Sequence, residues 1–447
     1  MINNALGLKK KEINKLAFKT KSSFRIPEKL LADEMVEAFC MVSVHDECSL
    51  MNICTYLYEY HKINISKPGL LKRINSDGTV ELFKEILKSC LLKSINNKND
   101  FPALRCQFGR VILQDSTILQ LANRLFEIFF GIKNATSTKT FIRIQFSYDI
   151  LNNNFIAISM DSYKENDLAS ASKIEVIDGD LWLRDRGYFS LEACEKIACE
   201  GGDFILRYKA YTTLYLHEKD ANGKQIQLDL VKELKKSPCL KIKVFVGKKK
   251  MPMLLIVAPA SEKIAAERRR KAHLKYRYGS ESTSNSKRVM TPEYSFLCGY
   301  TIFLTSVNLN LEFKEVFALY SLRWRIEIIF KAWKSHLNFE NIHNVSVNQL
   351  YIIMYSKLIM CNLIFSKFYN NFLELVLIAS NKIISIIALA KHIMLDFKHN
   401  LLSLINGEIT YLTEKFTKFC TYSTRKRKNY FEMEQEIFGV LDSSYAI

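Results

Sequence analysis

Four polar side chains recur at helical spacing in residues 320–334, YSLRWRIEIIFKAWK: Tyr320, Arg323, Glu327 and Lys334. At about 100° per residue they fall within an arc of about 60° on one continuous helix, opposite an apolar face. A carboxylate flanked by two cations and a phenol suits a polyanion held against a metal, because Glu binds Mg²⁺ while Arg and Lys bind phosphate oxygens. A solvated amphipathic helix is the alternative, and for an isolated helix it would be the better one.

Two strand-like runs upstream of this helix each stop at an aspartate. Asp115 follows the apolar residues of RVILQDST, and Asp185 follows those of DLWLRDRGYF. A strand that ends in Asp presents a carboxylate at the carboxyl edge of a sheet, where α/β proteins keep their sites. Either aspartate alone could simply bond its local backbone in a turn. Together with Glu327, they predict a metal site of three carboxylates.

These motifs resemble the DDE transposases of bacterial insertion sequences, in the cut-and-paste group with the signature Y-x2-R-x3-E-x6-K. The signature is met by Tyr320, Arg323, Glu327 and Lys334, and the companions D-S-T at 115–117 and D-x-G-Y-F at 185–189 also match. The similarity covers residues 108–345 and extends more weakly into both flanks. It implies a ribonuclease H-like catalytic fold and DNA transposition.

The resemblance also implies a mechanism. Asp115, Asp185 and Glu327 are expected to hold two Mg²⁺ ions, for which Mn²⁺ can substitute, during cleavage at transposon ends and joining to target DNA. Tyr320, Arg323 and Lys334 would grip the phosphates of the transposon end. A DNA hairpin intermediate is left open. Two alternatives also stay open: a catalytically silent DNA-binding regulator, and a related nuclease without strand transfer.

Composition is consistent with a nucleic-acid partner. The 447 residues carry a formal net charge of +18, and basic surfaces gain affinity for DNA by releasing its counterions. With 48% hydrophobic and 12% aromatic residues the chain can form a substantial core, which excludes a disordered basic tail. Double-stranded DNA, comprising terminal inverted repeats and target, is the expected partner. Synapsis of two ends implies a homodimer on DNA.

The cysteines and apolar stretches bear on the cellular compartment. The 11 cysteines include no C-x-x-C pair, and the first residues lack an apolar signal core, so we expect a cytoplasmic, nucleoid-associated protein. His45, Cys48, Cys54 and His61 match no standard zinc spacing, and buried thiols are the preferred interpretation. The apolar stretches 351–365 and 372–390 are interrupted by polar residues, so they are predicted as core-facing helices rather than membrane spans.

The predicted organisation is α/β, with a ribonuclease H-like core flanked by helical regions. Residues 1–105 form a helical DNA-binding region, and residues 346–447 form a helical C-terminal region. The catalytic domain at 106–345 is interrupted by a β-rich insertion at 210–299. Its elements are predicted in the following order: strands 110–114, 140–149, 154–160 and 180–184, a helix 190–199, and strands 203–209 and 300–306.

Further DNA contacts are predicted outside the signature. In the N-terminal region, a helix from Ser49, a turn and a helix from Lys67 resemble a helix-turn-helix in which Lys72 and Arg73 contact DNA; pure packing is an equal alternative. Arg268, Arg269 and Arg270, with Tyr276 and Tyr278 interleaved, suit a DNA-backbone track or a solvated helix. Tyr300 stands where relatives often have a Trp that lies beside an extruded base. Trp324 is predicted as core.

Overall fold

The computed structural model describes residues 2–25, 27–44, 48–93, 102–133, 137–219, 223–278, 290–309 and 311–422. Among these, two compact units are interleaved along the chain. The first takes residues 2–93, 115–166 and 324–422, and the second takes 102–114 and 167–323. Neither unit is one continuous segment.

The described residues form α-helices with the following bounds: α1 Ile2–Ala5, α2 Lys10–Lys19, α3 Ala32–Ser43, α4 Leu50–His61, α5 Lys67–Ile74, α6 Asp77–Lys93, α7 Pro102–Gln107, α8 Asp167–Ser170, α9 Leu191–Cys199, α10 Leu230–Lys236, α11 Glu262–Tyr278, α12 Pro292–Leu297, α13 Phe313–Ser321, α14 Trp324–His336, α15 Val347–Leu363, α16 Asn370–Ser380, α17 Ile386–Leu395, α18 Phe397–Ile405 and α19 Ile409–Phe419. Short 3-10 helices span Asn123–Leu125 and Arg186–Tyr188, and a π-helical segment, Ile364–Tyr369, joins α15 to α16.

The strands are β1 Arg110–Leu121, β2 Ile132–Lys133, β3 Thr138–Asp149, β4 Asn154–Ser162, β5 Asp180–Arg184, β6 Asp203–Arg207, β7 Leu214–Lys219, β8 Gln225–Gln227, β9 Leu240–Val246, β10 Met251–Pro259 and β11 Tyr300–Thr305. The predicted strands of the catalytic region therefore exist, and the prediction of a mixed α/β protein is confirmed. The ribonuclease H-like class stays a prediction. The largest difference from the predicted bounds is in β1, which continues past Asp115 to Leu121, so Asp115 lies within a strand rather than at its end.

The second unit is organised around a mixed sheet. The first residues of β1 pair with β5, β5 pairs with β6, and both pairings are parallel. Antiparallel pairings then continue through β11, β10, β9, β7 and β8. The strands of the predicted insertion thus extend the same sheet. The apolar runs of β1 and β5 are fully buried, as is usual for parallel strands that are covered on both faces.

The connection from β5 to β6 positions the end of β5. After β5 the chain makes a 3-10 turn and enters α9, whose first turn is capped because Ser190 Oγ accepts the Ala193 N–H at 3.3 Å. The predicted helix at 190–199 is confirmed. Gly187 in the 3-10 turn has no positive φ; a Cβ there would lie 3.0 Å from Asp167 Oδ2. Close approach, rather than backbone freedom, explains this glycine.

The first unit combines helices with a hairpin. Strands β3 and β4 pair antiparallel, and α14 packs aromatic side chains on them: the Trp333 ring lies 5.5 Å from the Phe146 ring and 5.1 Å from the Phe155 ring. The predicted core face of α14 is confirmed at Trp333, which is 3% exposed. The same helix leaves Trp324 57% exposed, so the prediction of Trp324 as a core residue was wrong.

The apolar helix 347–380 lies in this unit. It is 34 residues long and apolar enough to span a membrane, but 89% of its most apolar window is buried inside the structure. Lys357 is 1% exposed and donates to the Asn338 carbonyl at 2.6 Å. The core-facing prediction for 351–365 is confirmed. The second stretch is two helices, because the chain breaks at Asn381, which has a left-handed φ of 52°.

Candidate active site

Two of the predicted carboxylates lie at matching positions in the pairing of β1 with β5, because each comes one residue after a member of the same aligned pair. In the parallel pairing of β1 and β5, Gln114 lies opposite Arg184, and the next residues in sequence are Asp115 and Asp185. The other end of the pairing is fixed by Arg110, whose guanidinium donates to both Asp180 carboxylate oxygens at 2.7 and 2.6 Å. A bidentate pair of this kind is geometrically specific, so it stabilises this register.

The last residue of β5 is held from within the second unit. Arg184 is fully buried, donates to the Ala171 carbonyl and lies over the Trp182 ring at 5.4 Å. Burial lowers the pKa of Arg184 to about 10. A buried guanidinium anchored in this way fixes the backbone from which the Asp185 side chain extends.

Asp185 is only partly buried and is held as an anion. The Tyr320 hydroxyl donates to Asp185 Oδ1 at 3.0 Å. Burial by itself raises the pKa of Asp185, but the Arg323 guanidinium, the Arg186 backbone N–H and the Tyr320 hydroxyl more than offset it, so the pKa lies below its usual value. The carboxylate is therefore ionised at neutral pH and supplies the hard oxygen ligands that divalent cations prefer.

Tyr320 is a buried, neutral donor. It is 9% exposed, and its ring centroid lies 5.1 Å from that of Phe303. Burial, followed by the charge of Asp185, raises the pKa of Tyr320 well above its usual value. The proton therefore stays on the phenol, which donates it to the carboxylate in a hydrogen bond. Two residues of the signature, Tyr320 and Arg323, therefore act on Asp185 within the second unit.

Two further arginines lie near Asp185 that the sequence interpretation missed. Arg207 ends β6, the strand next to β5, and Arg186 follows Asp185. Burial lowers the pKa of Arg207, Arg186 and Arg323 lower it further, and Tyr320 and Asp185 raise it. Arg186, Arg207 and Arg323 thus all interact electrostatically with the Asp185 carboxylate. Like Asp185, Arg207 follows a short apolar run, so the strand-end pattern in the sequence marks it as well.

The signature helix is broken, contrary to the prediction of one continuous face. Helix α13 ends at Ser321 and α14 begins at Trp324. Between them, the N–H of Leu322 bonds the Leu319 carbonyl and that of Arg323 bonds the Tyr320 carbonyl, both at 3.1 Å. These are i→i−3 bonds, which tighten the chain into a turn. Tyr320 and Arg323 consequently belong to the second unit, while Glu327 and Lys334 lie on α14 in the first.

The first unit holds the other two predicted metal ligands and the last residue of the signature. Asp115 Oδ1 accepts the Ser116 N–H at 2.8 Å, and Ser116 Oγ accepts from Arg143 at 3.1 Å. Glu327 is half-buried in the first turn of α14. Lys334 forms an ion pair with Glu340 at 2.7 Å. Both carboxylates are oxygen ligands of the type that suits Mg²⁺.

The three predicted carboxylates have oxygen atoms that suit a divalent ion, but the described residues do not hold three such ligands together. No group of three or more His, Cys, Asp or Glu side chains within the described ranges is placed to hold a metal ion. Asp185 lies in one unit, and Asp115 and Glu327 lie in the other. The convergence of the three carboxylates therefore stays a prediction.

Comparison with known proteins decides the family. The profile of the transposase DDE domain matches residues 107–363, more than half of the chain. The chain belongs to the DDE transposase family. It is 30% identical over 359 residues to the transposase for insertion sequence element IS231B of Bacillus thuringiensis subsp. berliner, covering 74% of this chain and 72% of that protein. It is 27% identical to the transposase for IS1151 of Clostridium perfringens, covering 66% and 64%.

One solved structure also aligns with this transposase. It is a piggyBac transposase synaptic complex with hairpin DNA, which aligns over 96% of this chain and 86% of its own at 10% identity. The TM-score of 0.41 is too low to establish a shared fold. Family membership shows that the chain is a DDE-type DNA transposase, and it implies dependence on divalent metal ions and binding to DNA.

The basic helix α11 of the transposase is used partly for internal contacts. Arg268 donates to the Tyr300 carbonyl at 2.8 Å and to Thr301 Oγ1 at 3.2 Å, and Arg269 pairs with Glu262 at 3.1 Å. Arg270 is exposed. Tyr300 is half-buried.

The contacts of Tyr276 give little support to the prediction that tyrosines of this helix stack on DNA bases. The Tyr276 ring lies 6.1 Å from that of Tyr294, in a small apolar cluster, so Tyr276 is a packing residue in this unit. The Tyr278 side chain and residues 279–289, which include the rest of the predicted basic segment, lie outside the described residues.

The helices α4 and α5 each begin at a serine cap. Ser49 accepts the Asn52 N–H and Ser66 accepts the Gly69 N–H, both at 3.2 Å. Lys72 on α5 is exposed, whereas Arg73 donates to the Ser22 carbonyl at 3.1 Å and to Ser23 Oγ at 2.6 Å. The observed contacts of Arg73 are therefore structural.

The zinc alternative gains no support here. His45 lies outside the described residues. Cys48 is buried, which raises its pKa to about 12, and His61 lies 3.4 Å from the Glu37 carboxylate. A thiol with a raised pKa is a poor metal ligand, because metals bind the thiolate.

Proposed function

We propose that this transposase cleaves DNA at the terminal inverted repeats of its element and joins the ends to target DNA by two-metal phosphoryl transfer. A ribonuclease H-like core would bring Asp115, Asp185 and Glu327 together. The parallel register of β1 and β5 supports this proposal, because Asp115 and Asp185 directly follow the paired residues Gln114 and Arg184. Family membership supports it independently.

The hydrogen bond from Tyr320 to Asp185 carries the proposal. It joins two motifs that are 135 residues apart in the sequence, and Arg323 lies close enough to lower the pKa of the same carboxylate. Chance placement of a surface aspartate would not bring a buried phenol and a guanidinium to it. The first and second residues of the signature thus hold one of the three expected metal ligands in its ionised form.

The three carboxylates would hold two Mg²⁺ ions, or Mn²⁺ in their place. When bound, such a pair lowers the pKa of an attacking water or 3′-hydroxyl and stabilises the leaving oxygen. The protein contributes ligands and their orientation. Asp185 is ionised before any metal arrives, Tyr320 fixes the direction of one of its oxygens, and Arg184 holds the strand end behind it. No nucleophilic side chain is required.

The arginines near Asp185 would bind the DNA backbone. Arg186, Arg207 and Arg323 all interact electrostatically with Asp185, and guanidinium groups recognise phosphate oxygens in a bidentate manner. Lys334 would join them by exchanging Glu340 for a phosphate. We further propose that Tyr300 lies near the transposon end, that Arg270 and Lys72 contact DNA through their exposed cations, and that the protein pairs two ends as a homodimer. Its site of action would be the nucleoid.

Cleavage of an end substrate tests this function. A duplex carrying the terminal repeat that flanks the gene is incubated with the full-length protein and Mg²⁺, and nicking is followed on a sequencing gel. We expect cleavage that is abolished by a chelator, because the ions supply the activated nucleophile. Asp115→Ala, Asp185→Ala and Glu327→Ala should each reduce cleavage to background while retaining DNA binding.

Matched carboxylate changes control for general damage. Glu81→Ala in the first unit and Glu233→Ala in the second remove surface ion pairs with neighbouring lysines, and both should cleave normally. Substantial cleavage by any of the three active-site variants would refute the assignment. Transfer of the liberated 3′ end to a plasmid distinguishes a transposase from a nuclease that only cuts, and binding without cleavage would identify a silent regulator.

A further inference from the structure

Phe24 is the most exposed large apolar side chain of the described residues, at 86%. It lies in the loop between α2 and α3, next to two serines that are almost completely buried, Ser22 at 6% and Ser23 at 4%. The chain therefore turns from a buried to a fully exposed position within one residue. Single exposed hydrophobic residues are common. Exposure alone therefore does not give Phe24 a role; the contacts that fix its loop and the charges around it must be considered as well.

Hydrogen bonds hold the two loop residues before Phe24, Ser22 and Ser23, in place. The Arg73 guanidinium donates to the Ser22 carbonyl and to Ser23 Oγ. Ser22 Oγ bonds Thr79 Oγ1 at 3.0 Å, and the Ser23 N–H bonds the Ala17 carbonyl at 3.1 Å. Three helices of the first unit, α2, α5 and α6, thus contribute partners to two loop residues.

A glycine in α6 allows the loop to approach this closely. A Cβ at Gly78 would lie 2.5 Å from the Thr20 carbonyl oxygen and 2.6 Å from the Lys21 carbonyl carbon, distances that no side chain tolerates. The backbone before Phe24 is consequently packed directly on the start of α6. Phe24 is presented to solvent from a fixed support, and such preorganisation reduces the entropic cost of binding.

The surroundings of Phe24 are basic. Lys21, Arg25 and Lys29 are exposed in the same loop, against one exposed acid, Glu28. An open groove of about 590 Å³ lies beside them, and Phe24, Arg25 and Lys29 line it together with Ile65, Gly69 and Arg73. Gly69 and Arg73 belong to α5, the second helix of the predicted helix-turn-helix. We call Lys21, Phe24, Arg25 and Lys29 the Phe24 surface.

We propose that the Phe24 surface binds the double-stranded DNA of the transposon end, with Phe24 inserted against an unstacked base step and Arg25 and Lys29 on the flanking phosphates. An aromatic ring stacks on any base, and apolar wedges are used by proteins that open base steps. The excess of positive side chains around the Phe24 ring is complementary to the negative charge of the DNA phosphates. This inference rests on the proposed end binding and adds a contact outside the signature.

The test measures binding of full-length protein to a terminal-repeat duplex by fluorescence anisotropy over a series of salt concentrations. Phe24→Ala should weaken binding about tenfold, as expected for removal of one base stack, whereas Phe24→Trp should retain it. The double variant Arg25→Gln, Lys29→Gln should lower the salt slope by about two, one for each phosphate that is no longer neutralised. A duplex with 2-aminopurine at successive positions should brighten with wild type and not with Phe24→Ala.

Matched controls separate this surface from other effects. Ile378→Ala removes an apolar side chain that is 75% exposed elsewhere in the same unit, and Lys84→Gln with Lys88→Gln removes two exposed cations of α6. Both should bind like wild type. Melting curves should show all variants folded, since none of the changed side chains is buried.

The outcomes distinguish this inference from the function on which it rests. If wild type binds the duplex and Phe24→Ala binds equally well, the Phe24 surface is not a DNA contact, while end binding stands. If wild type binds no DNA, the proposed function fails with it. If Phe24→Ala changes the sedimentation of the protein without DNA, the surface contacts a second copy of the chain and the DNA proposal is overturned.

Discussion

Asp185 shows how neighbouring groups keep a partly buried carboxylate ionised. A carboxylate in a partly buried position would ordinarily be harder to ionise, and here a neutral phenol and nearby guanidiniums reverse that effect. The hydroxyl of Tyr320 can orient the carboxylate without neutralising it. A lysine at position 320 would compete with an incoming cation, so a phenol is the better partner for a residue that is proposed to bind metal.

Tyr320→Phe tests this arrangement through stability. Loss of a buried hydroxyl that bonds an ionised carboxylate should lower the free energy of unfolding by about 1.5 kcal/mol at neutral pH. Because the pKa of Asp185 is lower in the folded than in the unfolded state, this stabilisation is complete above the unfolded pKa and is lost as pH falls through the folded pKa. Urea titrations between neutral and acidic pH should show the difference between variant and wild type shrinking.

Tyr211→Phe is the matched control for that measurement. Its hydroxyl bonds Thr291 at 3.1 Å in the same unit, but the ring is 65% exposed and no carboxylate is involved. We expect a change within about 0.5 kcal/mol that does not vary with pH. An equally large and pH-independent loss in Tyr320→Phe would mean that the bond to Asp185 is not what the hydroxyl stabilises.

At the scale of elements, the break between α13 and α14 is the main departure from the sequence interpretation. A 3.6-residue pattern runs through 320–334 without interruption, and no Pro or Gly marks a boundary there. Two i→i−3 bonds at Leu322 and Arg323 still end one helix and start the next. Tight turns of this kind follow from tertiary packing rather than from local propensity, so periodicity alone could not locate the break.

The two tryptophans of α14 provide a prediction for this element. Trp333→Ala should cost about 3–5 kcal/mol, because it removes a buried ring packed on Phe146, Phe155 and Phe339. Trp324→Ala, on the same helix and 57% exposed, should change stability by less than about 0.5 kcal/mol. Denaturant midpoints of the two variants check this contrast. Similar losses of stability in the two variants would show that the Trp324 side chain is also packed against other residues in solution.

At the scale of the whole molecule, the chain passes between the two units several times. The first unit combines N-terminal helices, the β3–β4 hairpin and helices from the last quarter of the chain. Helix α15 packs against α3 and α6, and Asn338 donates to the Val44 carbonyl at 3.2 Å. The predicted boundary at residue 345 therefore falls inside a compact unit, and the predicted domain limits await a direct test.

Truncation at that boundary provides the test. A chain ending at residue 345 loses α15, whose apolar side chains are buried between α3 and α6. We expect it to expose this apolar surface, to bind a hydrophobic dye and to lose cooperative unfolding, whereas the full-length chain in the same buffer melts cooperatively. A cooperative transition in the truncated chain would show that residues 1–345 fold without the C-terminal helical region.

Much of the candidate site follows from residue types at fixed spacing. Asp185, Tyr320 and Arg323 could be selected from the sequence because carboxylate, phenol and guanidinium occur there in a specific order. The buried segments of β1 and β5 could be predicted as strands because they are continuously apolar. Capping serines, the core face of α14 and the buried helix at 351–365 follow from local pattern in the same way. These features depend on neighbours within a few residues.

Other features depend on contacts between distant parts of the chain, which only the tertiary structure decided. Arg207 joins the surroundings of Asp185 because β6 pairs with β5. Arg73 and Arg268 form hydrogen bonds with residues that are far from them in sequence, in a loop and in β11 respectively. Trp324 and Trp333 differ in burial although both are tryptophans on one helix. The physical reason is common to all of them: burial and ion pairing depend on distance in space, and sequence spacing determines that distance only within a single helix or strand.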